Sequence, residues 1–581
     1  MVSLPDPVWS ANSPKAQALV VPAGFETLPA QGWVMVKYVA TTTGTGVNQY
    51  PIMLHNGSTA NSLSVRVFTD DTQRIGNIKG STDAANLAAM RSRYKVQASE
   101  LRTIIYSWDV AAQRQALLTD GVYAEDLSKV DFTGQSLTTL QLGGRTGGAE
   151  PLLGYIVSAE VGNVALTKAQ MTAKAYEHAF VIALAGQSNA ANMDSASFNY
   201  TGHYGIMATM PAQVSNSRET LVVNGATGST SIFAVNDVGA GYWRNENTGE
   251  RGPAAINFYA KLSELGVTPN MIFWSQGEGD ASGVKTKAEY KTHLLAVFQD
   301  FRATFPKVRI VIGKLARRGQ AYNYAPQYQM EAEAQQELIE TYSWIVGQEI
   351  YDVGMFDFLH EDAAGYAVSG QRLARNAARL LGANPAGGTK GPKLLSAVRS
   401  GAVITATLQH DAGTDFVPAT GIDGFYCHNG DVAATIASLT TSAGAATVKL
   451  NHVAHGLAIG DKVTFPTPVI FQGITLVGSY EVADVLSTDQ FSILTRGGFS
   501  ASTTATGGGP ISAVYNKRIA VSSAVRASGT TVTVTLASQP NVLPATLYYG
   551  YDAMIGINIA NILKDNGVNV LPMRRGKLSI I

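Results

Sequence analysis

Cysteine, long apolar runs and a secretion signal are scarce or missing in this sequence of 581 residues. Its single cysteine, Cys427, cannot form an intramolecular disulfide and excludes a zinc site built from several cysteines. The longest clear apolar run is Ala179–Ala185, far below the roughly 18 residues of a membrane-spanning helix. The first residues contain no basic segment followed by an apolar one. We therefore expect a soluble protein that is made in the cytoplasm without a signal peptide.

An excess of one charge is also missing. The 43 lysines and arginines balance 43 aspartates and glutamates. Proteins that bind nucleic acid by neutralising phosphates are normally basic, so we expect no nucleic-acid partner. Charged residues make up 15% and hydrophobic residues 45% of the chain, which excludes a disordered protein. At about 100–200 residues per domain, the length predicts several domains.

Residues 1–178 have the pattern of a β-sandwich. Short apolar segments, most of them alternating, are separated by clusters of Gly, Asn, Asp and Thr, and a helical segment, Ala165–His178, ends the region. The predicted strands are Gly32–Ala40, Ser62–Thr69, Leu101–Trp108 and Leu152–Val161. Many short strands without interleaved long helices favour a sandwich.

Residues 179–387 alternate short apolar runs with amphipathic helical stretches. The predicted strands are Ala179–Ala185, Leu221–Val223, Met271–Trp274, Val308–Gly313 and Trp344–Ile350. The predicted helices are Pro253–Leu265, Lys285–Phe305, Ala325–Tyr342 and Asp362–Leu381. This alternation is typical of a parallel sheet with helices on both faces. Ligands bind outside the carboxyl ends of such strands, so the residues that follow each strand are the candidates for chemistry.

The rest of the chain returns to β-structure. Residues 388–440 and 511–581 are predicted to form a C-terminal β-sandwich, and residues 441–510 a small β-domain inserted into it. The insert contains His452 and His455, which are either metal ligands or turn and core residues. No third ligand is evident near them, so the sequence favours the second interpretation.

Polar clusters follow three of the predicted central strands. GQSN at 186–189 follows the first strand, SQGEGD at 275–280 the third, and DFLH at 357–360 the last. A serine hydroxyl is a weak nucleophile that needs a general base, and histidine suits this role near neutral pH. A carboxylate can fix the tautomer of that histidine and stabilise its cation. Ser188, His360 and Asp357 are therefore the candidate catalytic residues.

These blocks resemble those of the SGNH hydrolases, and more closely those of the sialate O-acetylesterase-like carbohydrate esterases. The matching segments are GQSN, GST at 228–230, WSQGEGD at 274–280 and DFLH at 357–360. The resemblance implies a central α/β/α hydrolase domain with a flavodoxin-like parallel sheet. It also implies that Ser188 is the nucleophile, that His360 is the general base, and that Asp357 orients His360.

The same resemblance implies an oxyanion hole and a set of supporting residues. The hole would be formed by the N–H groups of Ser188 and Gly228 and by the side-chain amide of Gln276. The supporting residues would be Gly186, Gln187, Asn189 and Glu278. Trp243 and Arg244 lie in a Gly-rich loop and are candidates for lining a sugar site. The resemblance implies no cofactor and no metal.

The flanking regions resemble modules of other proteins. The N-terminal region, with GGRTGGAEPLLGYIVSAEV, is similar to a concanavalin-like (laminin-G-like) jelly roll, which is either a lectin-like or a purely structural module. The C-terminal segments, among them DGFYCHNGDVAATI and INIANILKDNGVNVLPMRR, resemble the sandwich that follows the catalytic domain in sialate O-acetylesterases. The insert resembles a module of phage tail proteins with an H-x-x-HGL-x-x-GD-x-V pattern.

Together these resemblances imply a phage tail fibre or tailspike that acts from the virion at the host cell surface. We expect it to remove O-acetyl groups from a host polysaccharide, O-antigen or capsule. We also expect a homotrimer that contacts other tail proteins and does not insert into a membrane. The alternatives are a catalytically silent glycan-binding adhesin, a bacterial acetylxylan- or sialate-type acetylesterase, and a purely structural tail component.

Overall fold

A computed structural model of the chain describes two compact units. Residues are described over 2–3, 17–20, 29–40, 49–55, 61–67, 72–79, 82–83, 91–95, 101–119, 121–126, 139–142, 154–177, 179–213, 219–283, 285–317, 325–496, 500–551 and 558–581. The first unit comprises Met1–Ala183, His203–Val223 and Tyr259–Asn270. The second comprises Leu184–Gly202, Asn224–Phe258 and Met271–Ile581. His178, the predicted end of the N-terminal region, lies outside the described residues.

The first unit contains two antiparallel sheets. The strands of one sheet, in spatial order, are Val2–Ser3, Gly154–Gly162, Gln31–Ala40, Leu101–Asp109, Arg114–Thr119 and Val122–Asp126. Those of the other are Gln17–Val20, Thr139–Leu142, Gln49–His55, Asn61–Val67, Thr72–Lys79 and Thr82–Asp83, with Arg91–Lys95 beside Thr72–Lys79. Gln31–Ala40 and Leu101–Asp109 are buried along nearly their whole length, so the centre of the first sheet is covered on both faces. The lectin-like assignment of this region stays a prediction.

A five-stranded sheet occupies the middle of the sequence. Its strands are β1 (Phe180–Gly186), β2 (Thr220–Asn224), β3 (Met271–Ser275), β4 (Arg309–Gly313) and β5 (Ile345–Gln348), in the order β2-β1-β3-β4-β5. Strands β3, β4 and β5 pair in parallel. Every residue of β1 and β3 is buried, as parallel strands with two covered faces require. The predicted mixed α/β fold with a parallel sheet is confirmed, and the strand order is that of flavodoxin-like sheets.

Helices alternate with these strands. They are α1 (Lys168–Tyr176), α2 (Ser188–Asn192), α3 (Thr201–Gln213), α4 (Pro253–Leu265), α5 (Glu278–Ala281), α6 (Lys287–Thr304), α7 (Ala325–Thr341) and α8 (Ala363–Leu380), with 3-10 turns at Ala196–Phe198, Ala234–Asn236 and Ile559–Asn561. Thr286 and Glu289 form a capping box that begins α6. The Asp362 side chain accepts a hydrogen bond from the Gly365 N–H at 2.7 Å and begins α8. The segment DFLH at 357–360, which we call the histidine loop, lies shortly before this cap. None of the described helices combines the length and the apolar character that crossing a bilayer needs.

The second unit also contains the C-terminal β-structure. One sheet runs Lys393–Ser400, Val403–Gln409, Thr531–Leu536 and Val521–Ser528, and another runs Arg518–Ile519, Phe425–His428, Ala545–Tyr549 and Gly576–Ile580. Phe416–Val417 pairs with Lys564–Asp565. A small sheet, Ser231–Phe233 with Tyr242–Arg244, precedes these in sequence. Thr531–Leu536 alternates half-exposed threonines with buried apolar residues, so its apolar side faces a core that contains Ile404, Leu547 and the buried Cys427.

The insert consists of two further antiparallel sheets. Their strands are Val432–Ile436, Ile511–Asn516, Lys462–Phe471 and Ile474–Glu481 in one, and Asp484–Ser487, Gln490–Leu494, Thr447–Asn451, Ser438–Thr441 and Ala505–Gly507 in the other. Three of these strands reach outside the predicted bounds of 441–510 and contribute to the insert's core: Val432–Ile436, Ile511–Asn516 and, except for its last residue, Ser438–Thr441. His452 Nδ1 lies 2.6 Å from the Tyr515 hydroxyl, and His455 Nε2 lies 3.0 Å from the Ser487 carbonyl oxygen, so each imidazole has a structural partner.

Candidate active site

Ser188 is the first residue of helix α2, and only Gln187 separates it from strand β1. Gly186 has a φ of +111°, and a Cβ on it would lie 2.0 Å from the Ser275 carbonyl oxygen, so only glycine fits here. The Gln187 N–H donates to the same carbonyl at 2.8 Å. This sharp turn places the partly exposed Ser188 side chain at the carboxyl end of the sheet.

The Ser188 hydroxyl begins a chain of hydrogen bonds that ends at Asp357. His360 Nε2 lies 2.9 Å from Ser188 Oγ, and His360 Nδ1 lies 2.7 Å from Asp357 Oδ2. An ionised carboxylate can only accept, so the imidazole proton belongs on Nδ1 and Nε2 accepts from the serine hydroxyl. The structure therefore brings the three predicted catalytic residues together in the arrangement of a serine hydrolase triad.

The Asp357 carboxylate is fixed by its own loop. Its Oδ1 atom accepts hydrogen bonds from the N–H groups of Leu359 and His360, both at 2.7 Å. Burial alone would raise the pKa of Asp357, but these bonds and the bond from the His360 ring lower that pKa below its usual value. Asp357 therefore stays ionised at neutral pH and can stabilise a cationic imidazole.

Glu278 lies behind the nucleophile and is almost completely buried. Its carboxylate accepts hydrogen bonds from Gln187 Nε2 at 2.6 Å and from Asn189 Nδ2 at 2.8 Å. Both neighbours of Ser188 in the sequence are thus tied to one side chain. Burial raises the pKa of Glu278, while its own backbone amide, Asn189 and the nearby His360 partly offset this rise. The supporting role predicted for Glu278 has a clear geometric basis.

Asn189 joins the serine loop to the histidine loop. Its Nδ2 also donates to the Leu359 carbonyl oxygen at 3.1 Å, and its Oδ1 accepts from the Tyr366 hydroxyl at 2.9 Å. The Glu361 N–H donates to the same oxygen at 3.3 Å. Asn189 is 1% exposed, so these contacts are shielded from water. The side chain thereby sets the distance between nucleophile and base.

Gln276 is placed differently from the prediction. It is wholly buried, and its Nε2 donates to Gln187 Oε1 at 3.0 Å, to the Thr230 carbonyl at 2.7 Å and to Asp280 Oδ2 at 3.1 Å. An amide has only two N–H bonds, so both are already used inside the protein. The expectation that this amide completes the oxyanion hole is therefore not met in this conformation. The Gln276 side chain instead stabilises its own loop, SQGEGD at 275–280. Gln335 stabilises the same loop, because its Nε2 donates to the Gln276 carbonyl oxygen at 2.8 Å.

Gly228 borders open space in the segment GST at 228–230, next to the loop that carries Gln276. A Cβ on Gly228 would meet no atom within 4 Å. Its turn is held on one side by the Thr227 N–H, which donates to the Gly186 carbonyl at 3.1 Å. On the other side, Thr230 Oγ1 donates to the Thr227 carbonyl at 3.0 Å. The Gly228 backbone is thus fixed next to the turn that presents Ser188.

Trp243 is buried and does not line a sugar site, whereas the role of the partly exposed Arg244 stays a prediction. Trp243 is 1% exposed, its ring centroid lies 4.8 Å from that of Trp274, and its Nε1 donates to Thr230 Oγ1 at 3.3 Å. Trp243 belongs to the short strand Tyr242–Arg244 rather than to a loop, and its ring fills the core. Arg244 Nη2 lies against the following loop, where a Cβ on Gly249 would come within 2.8 Å of it.

Two buried acids beside the site were not predicted to have a role. Asp280 accepts from the Ile232 N–H at 2.9 Å, and burial raises the pKa of Asp280 to about 6. Burial raises the pKa of Glu361 to about 8, and its Oε2 accepts from the Ser369 hydroxyl at 2.5 Å. Asp280 is the last residue of the block SQGEGD and Glu361 directly follows the block DFLH, and these positions are the signal that could have found them. In the described part of the chain, no group of three or more His, Cys, Asp or Glu side chains is arranged to hold a metal ion.

The chain is similar in sequence to one family of carbohydrate esterases. A family model described as carbohydrate esterase, sialic acid-specific acetylesterase, matches residues 213–379. This segment contains Gly228, Gln276, Asp357 and His360, while Ser188 precedes it. No curated protein matches the sequence.

Similar solved structures include a carbohydrate acetylesterase from Xanthomonas citri, at 11% identity over 97% of this chain and 96% of that chain, with a TM-score of 0.39. They also include the CBM40 of the Ruminococcus gnavus IT-sialidase bound to α2,3-sialyllactose, at 18% identity over 26% of this chain and 84% of that chain, with a TM-score of 0.21. The family match and the geometry of Ser188, His360 and Asp357 lead to one conclusion: the chain is a carboxylic ester hydrolase.

Proposed function

We propose that the chain is a serine-dependent carbohydrate O-acetylesterase. The observation that carries the proposal is the hydrogen-bonded chain from Ser188 through His360 to Asp357, in a protein that matches a carbohydrate-esterase family. A neutral imidazole with its proton on Nδ1 is ready to accept a proton at Nε2, 2.9 Å from the serine oxygen. This is the arrangement that acyl transfer to serine needs.

In the first half of the proposed reaction, Ser188 Oγ attacks the acetyl carbonyl carbon while His360 Nε2 takes the hydroxyl proton. The carbonyl π electrons move to oxygen, and the backbone N–H groups of Ser188 and Gly228 are the proposed donors to that oxyanion. Asp357 stabilises the imidazolium that has formed. When the C–O bond to the sugar breaks, His360 returns the proton to the departing sugar oxygen.

In the second half, water replaces the sugar. His360 takes a proton from water as the water oxygen attacks the acetyl carbon of the acetyl-enzyme. Collapse of the second oxyanion breaks the bond to Ser188 Oγ, which recovers its proton from His360, and acetate leaves. No redox step or added cofactor is required for this balance.

The proposed setting is an acetylated polysaccharide on a bacterial surface, with the chain acting as part of a phage tail. Two features support this setting. The insert resembles a tail module, and β-rich regions come before and after the catalytic sheet in the sequence. A homotrimer in association with other tail proteins belongs to the same proposal. A single-chain mass in light scattering at physiological salt would count against that assembly.

A sialate substrate is the second candidate, because the matched family is described as sialic acid-specific. The two candidates share the chemistry and differ only in the sugar that carries the acetyl group. A panel of O-acetylated sialosides and O-acetylated bacterial polysaccharides would separate them by the rate of acetate release.

The test is acetate release from this panel by the wild type and by Ser188→Ala, with a small acetyl ester as a common reference. We expect release by the wild type only. Cleavage of the reference ester with no release from any glycan would contradict the carbohydrate substrate. Tight binding of a glycan by both proteins, with no acetate from any substrate, would instead favour the adhesin.

A further inference from the structure

Two phenylalanines with exposed side chains lie on either side of the triad aspartate. Phe356 is 70% exposed and Phe358 is 46% exposed, while Asp357 between them faces His360. In the described part of the chain, no other phenylalanine or tryptophan side chain is exposed to this degree. The most exposed phenylalanine side chains of the described residues thus flank a residue of the candidate triad in the sequence.

This exposure is costly for folding and needs a reason. Burying a phenylalanine side chain stabilises a fold relative to leaving it in water. Single exposed apolar residues are common on surfaces, but two aromatic rings bracketing a catalytic residue mark a contact for a ligand or partner. Both rings are next to Asp357 in the sequence, and Asp357 bonds to His360, which favours a ligand of the active site over a partner protein.

The Phe356 ring is held in one orientation. The Phe198 ring contacts it edge-to-face, with centroids 5.6 Å apart and an interplanar angle of 89°. Phe198 in turn contacts the Tyr366 ring at 4.8 Å, and the Tyr366 hydroxyl donates to Asn189, the residue after Ser188. The Phe356 N–H also donates to the His360 carbonyl oxygen at 2.8 Å. The ring is therefore anchored to both the nucleophile and the histidine loop.

We propose that Phe356 and Phe358 form an aromatic platform on which a sugar ring of the acetylated glycan stacks. This inference depends on the proposed function, because it takes an acetylated glycan as the substrate. A pyranose has a face of C–H groups that carry a slight positive charge, which suits the negative face of an aromatic ring. The hydroxyl groups at the ring edge stay in water. Because the Phe198 ring packs against the Phe356 ring, little freedom of Phe356 is left to lose when the glycan binds.

The test compares an acetylated glycan with a small acetyl ester that has no sugar. Phe356→Ala should lower kcat/KM for the glycan about 10-fold relative to kcat/KM for the small ester, mainly by raising KM. Phe358→Ala should act in the same direction. Phe356→Trp, which keeps an aromatic face, should restore the ratio. Ile470→Ala is the matched control, because Ile470 is 77% exposed and belongs to the insert.

Equal losses on both substrates would overturn the platform, because they would mean that Phe356 only holds the catalytic loop. An unaltered ratio in both alanine variants would overturn it as well. A wild type that cleaves the small ester but no acetylated glycan would overturn the proposed function, and the platform with it. The first two results leave the proposed function standing, so the two failures are distinguishable.

Discussion

The buried carboxylate of Glu278 provides a sharp test of how the site is held together. In Glu278→Gln, one of the two acceptor oxygens becomes an NH₂ group. In the wild type, Gln187 Nε2 and Asn189 Nδ2 donate to the two carboxylate oxygens at 2.6 and 2.8 Å. In the variant, one of these donors would face the new NH₂ group, which is also a donor. A buried donor left without an acceptor costs about 1–3 kcal/mol. Thermal unfolding of the variant should therefore begin several degrees lower.

The same change should slow catalysis. Gln187 and Asn189 flank Ser188, and a small displacement of the nucleophile raises the barrier. The charge of Glu278 also interacts favourably with a protonated His360, which forms during the reaction. We expect kcat for a small acetyl ester to fall by about 10-fold to 100-fold, a loss of roughly 1.4–3 kcal/mol in transition-state stabilisation. The KM should change little, because neither effect involves the ground-state ester.

Glu331→Gln is the matched control. Glu331 is wholly buried on α7 beside the same loop, where a Cβ on Gly277 would lie 3.3 Å from its Oε2. Burial and the neighbouring Asp280 raise the pKa of Glu331 well above its usual value, which favours the protonated form. An amide in its place keeps the shape of that form. The reasoning is refuted if Glu278→Gln keeps wild-type kcat and stability, or if Glu331→Gln is equally damaging.

Two further predictions concern the histidine loop. Asp357→Asn should lower kcat by about 10³–10⁴-fold, because the amide no longer fixes the Nδ1–H tautomer of His360 or stabilises the imidazolium. Steady-state kinetics on a variant with unaltered thermal unfolding would establish this loss. A loss of kcat below about 10-fold would contradict it. Glu361→Gln should flatten the pH dependence of stability. The folded protein keeps the Glu361 proton up to about pH 8, whereas the unfolded chain releases it near its usual 4.5, so this group lowers stability as the pH rises from about 5 to 8. Thermal unfolding between pH 5 and 9 should show a shallower decline in the variant, and identical slopes would contradict the assignment.

Local sequence patterns were sufficient to predict the central sheet and the loops that carry Ser188, Asp357 and His360. Apolar runs and helical stretches alternate plainly there, and α4 spans Pro253–Leu265 as predicted. Because parallel strands present their carboxyl ends at one edge of a sheet, residues that follow different strands meet there. The structure brings these three side chains within hydrogen-bond distance for that reason.

Contacts between distant segments could not be read from such patterns. The side-chain nitrogen of Gln276 is held by Gln187 and Thr230, which lie 89 and 46 residues away in the sequence. No local pattern tells whether an amide points to a ligand or to a neighbouring loop. The burial of Trp243 against Trp274 depends in the same way on a second strand. The family resemblance supplied residue types and their order, but not the direction in which each side chain points.

The extent of the insert shows the same limit. Ala505–Gly507 is a strand that ends at the first glycine of the run Gly507–Gly509, and Ile511–Asn516 belongs to the insert's other sheet. Val432–Ile436 pairs with Ile511–Asn516 across about 80 residues of sequence. This pairing, together with that of Ile511–Asn516 and Lys462–Phe471, shows that both strands belong to the insert.

The most direct test of the central claim is covalent labelling of the activated serine. A fluorophosphonate reacts with a serine whose hydroxyl proton is taken by a neighbouring base, and peptide mass spectrometry locates the adduct. We predict one adduct, on Ser188, that is absent in Ser188→Ala and strongly slowed in His360→Ala. An adduct on another residue, or equal labelling of Ser188→Ala and the wild type, would contradict the account.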